Sequence, residues 1–158
     1  MPDRKEKWCH DKYHPKDNNF DLPVAIAEFR KTLYGYVDND FNASINGADG
    51  ITKNYTKDEA LFIMQTARTL SSSVQYANNI PLNKDTVCFN LRLSAWLEGV
   101  KSCAVLKEEN KNIGQYIAKG RNTQKYVDLN DEISKIEARI KGYIRSDRKR
   151  HFELKGKP

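Results

Sequence analysis

The stretch from Thr86 to Leu106, TVCFNLRLSAWLEGVKSCAVL, leaves this chain little choice of fold. Set on a helix at about 100° per residue, Phe89, Leu93, Trp96, Leu97, Val100 and Ala104 share one broad face. Val87, Cys88, Leu91, Ala95 and Val105 widen that face, and only Asn90, Ser94, Glu98, Lys101 and Ser102 remain as a polar strip. A helix apolar on nearly every side needs neighbours on nearly every side. The stretch therefore predicts the central helix of an all-α core.

Its neighbours can be read from the same periodicity. Asp21 is placed to cap a helix with Pro23 in its first turn, where a missing N–H costs nothing. Leu22, Ile26, Phe29, Leu33 and Tyr36/Val37 follow at steps of three and four, which predicts a helix over residues 22–38. Residues 38–56, with the turn dipeptides Asn46-Gly47 and Asp49-Gly50, read as an irregular connection. Their Asp/Asn density does not fit a calcium loop: with Gly47 at the sixth position, Ser44 falls third and no Glu falls twelfth. Thr56-Lys57-Asp58-Glu59 matches a capping box and predicts the next helix start. Ala60, Ile63, Met64, Ala67, Leu70, Val74 and Ala77 form its inward stripe, and Asn78-Asn79-Ile80-Pro81 ends it.

Asn83 or Asp85 caps the central helix. Glu108–Gly120 predicts a short helix with Ile113, Tyr116 and Ile117 inward and Gly120 as a left-handed stop. The last helix starts near Thr123 or Asp128 and runs to about Leu154. Tyr126, Leu129, Ile133, Ile136, Ile140 and Tyr143 give it an unbroken heptad seam. The sum is an all-α fold, a four- to five-helix up-and-down bundle with a central hydrophobic helix and a long basic C-terminal helix. Residues 1–20 read as a flexible polar arm, and 21–158 as a single helical-bundle domain with a basic tail over 139–158. The seam of Leu129, Ile133, Ile136 and Ile140 serves either the bundle itself or a contact with a second copy or a larger protein complex.

Charge locates the candidate site. The net charge is +6, and residues 139–158, with eight Lys/Arg against Asp147 and Glu153, account for all of it. Residues 1–138 carry 19 basic and 19 acidic groups. Clustered cations neutralise phosphates and release counterions, and nearby aromatic rings can stack on unpaired bases. Arg139, Lys141, Arg145, Arg148, Lys149, Arg150, His151 and Lys155 are thus the candidate nucleic-acid contacts, with Tyr143 and Phe152 at their edges.

Other chemistries find little support. Cys9, His10 and His14 resemble half of a zinc site, but zinc needs about four ligands and the remaining histidine, His151, lies far downstream. No metal or other cofactor is expected. Three cysteines without regular spacing exclude a disulfide framework. Cys88 and Cys103 lie about 22 Å apart on one helix, which suits a reducing, cytoplasmic setting. The charged N-terminus has no apolar signal core, and no apolar run is long enough to span a membrane. No nucleophile elbow, phosphate-binding loop or zinc-protease motif occurs.

Two short resemblances bear on function. Arg145 and His151, five residues between them, resemble the R-x4-6-H signature of HEPN-type ribonucleases. The resemblance implies Arg145 as phosphate stabiliser and His151 as general acid/base at a dimer cleft. Glu132-Ile133, Ile136, Ile140, Gly142-Tyr143-Ile144 and Arg148-Lys149-Arg150 are similar to the last helix of small basic bundle proteins that accompany reverse transcriptases in diversity-generating elements. That similarity covers fewer than thirty residues. The expectation is a non-enzymatic nucleic-acid-binding accessory subunit of a ribonucleoprotein or mobile-element complex (phage, plasmid, CRISPR or reverse-transcriptase-associated). The alternatives are a helical protein-binding module, such as a phage-type inhibitor or adaptor, and a HEPN-like ribonuclease using Arg145 and His151.

Overall fold

The structure is a computed structural model and describes residues 21–45, 49–113, 115 and 123–157, the side chains of 43–45 excepted. These residues form four helices and no strand: α1 (Leu22–Ile45), α2 (Gly50–Asn79), α3 (Thr86–Asn112) and α4 (Gln124–Lys155). The polar arm and its Cys9, His10 and His14 lie outside the described residues, as do Tyr116, Ile117 and Gly120.

The helices pack in a ring, α1 on α2, α2 on α3, α3 on α4 and α4 back on α1. Side-chain contacts set their directions. Arg92, near the start of α3, reaches Asp147 late in α4 and the carbonyl of Ala77 at the end of α2. Tyr126, at the start of α4, donates its hydroxyl proton to Asp40 near the end of α1. Neighbouring helices are therefore antiparallel, the up-and-down arrangement that short connections favour. The core runs the length of the bundle, from Leu22, Ile26 and Phe29 through Leu70, Trp96 and Leu106 to Ile133 and Ile140.

Local signals explain the helix starts. The Asp21 carboxylate accepts from the Val24 N–H and the Asp85 carboxylate from the Val87 N–H, each covering a donor that the first turn leaves unpaired. Asn83 assists by accepting from the Asp85 N–H. The start of α2 differs from expectation. Asp49 caps it, accepting from Thr52 N–H at 2.7 Å, and that hydrogen bond holds the Asp49 carboxyl below its ordinary range. Thr56, expected to begin the helix, is instead a buried residue in its second turn.

Most of the expected irregular segment is thus helical. Phe41 stands four residues beyond Val37, and its burial carries α1 on to Ile45. Packing outweighs the weak helix preference of Asp and Asn. Likewise α3 continues to Asn112 without the break expected after Leu106, because Leu106, Asn110 and Ile113 all face inward.

The expected place of α3 also changes. It packs on α2 and α4 and keeps an exposed side, so it is not enclosed on every side. Its buried face is Arg92, Ala95, Trp96, Gly99, Ser102, Cys103, Leu106 and Asn110, whereas Val87, Leu91 and Leu97 are exposed. Gly99 leaves room for side chains of α4 and α2: a Cβ there would stand 3.3 Å from Ile140 Cδ1 and 3.8 Å from Leu70 Cδ1. The seam on α4 is fully used inside the bundle, since Leu129, Ile133, Ile136 and Ile140 are all buried. Of its two anticipated uses the structure shows the one inside the bundle; a partner helix could reach it only if the core opened.

One polar cluster ties three helices at one end of the bundle. Arg92 and Asp147, each about 1% exposed, meet through Nε–Oδ2 at 2.6 Å and Nη2–Oδ1 at 3.3 Å. The Trp96 indole N–H donates to Asp147 Oδ2 at 2.8 Å, and its ring stacks on Tyr143 with centroids 4.9 Å apart. Arg92 Nη1 also donates to the carbonyls of Ala77 and Ile80 at 3.0 and 2.9 Å, covering acceptors that the end of α2 leaves open. Burial pushes the Asp147 carboxyl upward. Three N–H donors aimed at its oxygens are nonetheless met best by a carboxylate, and the guanidinium beside it is permanently charged, so the pair is ionic.

Removing one partner strands the other. Asp147→Ala is expected to cost about 3–5 kcal/mol of stability, read as a lower urea midpoint. Arg92→Ala should be comparably damaging, and the double variant should lose much less than the two single losses together. Additive losses would show that the pair is not coupled.

Candidate nucleic-acid interface

The register of α4 decides which of its charges are usable. From Ile140 the buried face continues through Tyr143 and Ile144 to Asp147 and His151, so the seam runs on in polar residues after its apolar members end. The exposed face beside it carries Lys141, Arg145, Arg148, Phe152 and Lys155, at successive steps of four, three, four and three, with Lys149 next to them. All six are exposed. The steps put them in one stripe, about 21 Å long at the helical rise.

Five of the eight expected contacts therefore converge. Lys141 is shared with Glu137, its Nζ 3.1 Å from Oε1, and that bond and Lys107 together hold the Glu137 carboxyl below its ordinary range against the effect of its partial burial. The ion pairs among the described residues do not engage Arg145, Arg148, Lys149 or Lys155. Arg139 and Arg150 are half-buried on the flanks, and Arg150 lies 3.7 Å from Glu153. They border the stripe and do not belong to it.

His151 is a correction. It is 6% exposed, its ring stacks flat on Phe89 with centroids 4.1 Å apart, and its Nδ1 lies 3.0 Å from the Asn83 carbonyl. A carbonyl can only accept, so Nδ1 carries the proton in this bond. Nε2 is buried without a hydrogen-bond partner. His151 thus anchors the end of α4 to the α2–α3 connection and does not face solvent. Arg145 is exposed and lies about 120° around the helix from the buried His151, so the two residues of the HEPN-like spacing form no constellation within the chain. Tyr143 is likewise internal, packed on Trp96, and burial pushes its hydroxyl up to about 12.

Phe152 is the reverse case. The sequence puts it at an edge of the basic cluster; in the structure it is 79% exposed and stands on the stripe between Arg148 and Lys155. The terminal turn is pinned from below by His151, and the side chain of Lys84 donates to the Lys157 carbonyl at 2.8 Å. The stripe is accordingly presented by a docked helix whose register is fixed by burial on its other side.

The remainder of the surface offers other clusters. Asp40, Lys125 and Tyr126 form a polar knot at the far end, with Lys125 Nζ 2.9 Å from Asp40 and 4.9 Å from the centre of the Tyr36 ring. Asn110 donates to Asn130 at 2.9 Å, and its own side-chain oxygen is buried without a hydrogen-bond partner. Among the described residues no cluster of His, Cys, Asp and Glu is able to hold a metal ion, and no helix is long and apolar enough to cross a membrane. Cys103 is enclosed in the core, and burial pushes its thiol up to about 12. It behaves as a small apolar side chain.

A shallow cleft of about 280 Å³ between α2 and α3 is lined by Asp58, Glu59, Leu61, Phe62, Gln65 and Glu109. Desolvation, a hydrogen bond with Glu59 and repulsion from the neighbouring carboxylates push Glu109 up to about 7. A proton kept by the folded chain and released on unfolding makes stability fall with rising pH. The wild-type chain should therefore lose stability from Glu109 between about pH 4.5 and 7, with no further loss above that window. Glu109→Gln should flatten this part of the profile in urea titrations across pH. An unchanged slope would rule out the shared proton.

Comparison of the chain with protein-family models, with curated proteins and with solved structures gives no match, so a functional reading rests on the chemistry of the site itself.

Proposed function

We propose that this chain is a non-enzymatic nucleic-acid-binding accessory subunit that holds a phosphate backbone along the outer face of α4. The observation that supports the reading is the stripe itself: Lys141, Arg145, Arg148, Lys149 and Lys155 share one exposed face while Asp147 and Tyr143 of the same segment are turned inward and the exposed Glu153 lies beside Arg150. Cations on a rigid rod meet successive phosphates without sequence readout, since backbone contacts position a protein and base contacts specify. Five such contacts give modest affinity at physiological salt. Work within a larger ribonucleoprotein or mobile-element assembly, where other subunits add contacts, suits that strength. The local similarity of α4 to the accessory bundle proteins of reverse-transcriptase elements points the same way.

A second reading has its own support. From Ala60 to Asn83 the chain carries one charged residue, Arg68, and the exposed part of that segment includes Leu61, Phe62 and Tyr76. A weakly charged, partly apolar helix face suits contact with another protein. The chain would then be an adaptor, with α4 contacting acidic protein surface.

The two readings separate in one experiment. Charge reversal at Arg145, Arg148 and Lys149 together should weaken binding to any nucleic acid about equally across sequences. It should also reduce the slope of log affinity against log salt by about 2–3, near one unit per lost contact. Retained affinity and an unchanged salt slope would favour the adaptor. Because these three side chains are exposed, the thermal midpoint should not move by more than a few degrees.

A further inference from the structure

We infer that Phe152 makes the stripe selective for unpaired nucleic acid, single-stranded RNA or DNA, over duplex; this rests on the nucleic-acid reading of α4. An isolated exposed ring on a protein surface means little by itself. This ring has a particular setting. It stands one turn beyond Arg148, one turn before Lys155 and three residues after Lys149, so cations flank it along the line that a bound backbone would follow. Side chains three or four apart on a helix have Cβ atoms about 5–6 Å apart, within reach of adjoining groups on one strand. The ring is held outward because His151, its chain neighbour, is stacked on Phe89 and bonded to Asn83, which fixes the register of the last turns.

The ligand class follows from what such a ring can touch. In a duplex the base faces are covered by their neighbours, and only groove edges and phosphates are accessible. An apolar side chain enters that stack only as a wedge, and wedging proteins repay the unstacking by wrapping a bent duplex over a large surface. A single convex helix with five cations offers no such surface. An unpaired strand presents free base faces, and an aromatic ring among cations is the combination that binds them without sequence preference. On a single strand the phosphates would pair with Arg145, Arg148, Lys149 and Lys155 while one base lies on Phe152. On a duplex the same cations would work and the ring would contribute nothing.

The test uses the full chain and short, unstructured oligonucleotides of RNA and of DNA, each also annealed to its complement, with binding read by fluorescence anisotropy at low salt. The wild-type chain should prefer both single strands to their duplexes. Phe152→Ala should lose on the order of five- to 150-fold in single-strand affinity, with duplex affinity unchanged, and Phe152→Tyr should restore the preference. Neither stacking nor phosphate contact reads the sugar, so the RNA and DNA single strands should bind about equally and both should weaken in Phe152→Ala. A tighter RNA arm that Phe152→Ala also weakens still supports the inference and adds a 2′-hydroxyl contact. Equal binding of single strands and duplexes, or single-strand affinity indifferent to Phe152→Ala, overturns the inference. If the triple reversal of Arg145, Arg148 and Lys149 still abolishes binding in that case, the nucleic-acid reading survives without it. No binding of any probe by the wild-type chain overturns both.

Discussion

The buried pair of Arg92 and Asp147 is the interaction that the α4 end of this bundle depends on. Taking two charges out of water is costly, and the pair is sustained by hydrogen bonds to both ions from three elements. Asp147 receives two guanidinium N–H groups and an indole N–H, and Arg92 spends its remaining donors on the last carbonyls of α2. Three helices and the α2–α3 connection are thereby tied at one point. Apolar contacts alone would resist separation of α4 from the bundle but would tolerate rotation and sliding far better, since they have no direction.

That directional constraint links the core to the surface. With Asp147 pointed at Arg92 and His151 at Asn83, the residues between and around them have no freedom of facing. Lys141, Arg145, Arg148, Phe152 and Lys155 lie outward because Ile140, Ile144, Asp147 and His151 lie inward. A basic tail free in solution would spread its charge over many arrangements and lose conformational entropy on binding. A docked helix presents its charges already aligned. Asp147, a negative residue inside the basic segment, is therefore one of the groups that fix which way the cations face.

Misjudged positions share a physical cause. The segment after Asp38 was expected to be irregular because Asp, Asn and Gly are poor helix formers, yet Phe41 finds a place in the core and Asp49 satisfies the first-turn donors of α2. Propensity is worth tenths of a kcal/mol per residue, and burying an aromatic ring is worth several times more. The α3 stretch misled in the opposite sense. Its apolar surface exceeds what two neighbouring helices can cover, so Val87, Leu91 and Leu97 stay exposed while Arg92, Gly99 and Ser102 go inside. A hydrophobicity pattern ranks faces by average polarity and has no means of recognising an arginine whose partner lies 55 residues away.

The sequence by itself determined that this chain is helical, roughly where its helices lie, and which segment carries its net charge. Those properties are local: the three-and-four spacing of Ile133, Ile136 and Ile140, capping by Asp21 and Asp85, and the count of Lys and Arg after residue 138 are all read within a few turns. Only the tertiary structure decided which charges are presented. Asp147 and His151 keep the spacing of the seam, but their polarity argues against an internal place; they face inward because Arg92, Trp96, Phe89 and Asn83 come to meet them from other elements. The direction of a polar side chain on a helix is set by the partner that satisfies it, and a partner distant in sequence becomes visible only when the chain is folded.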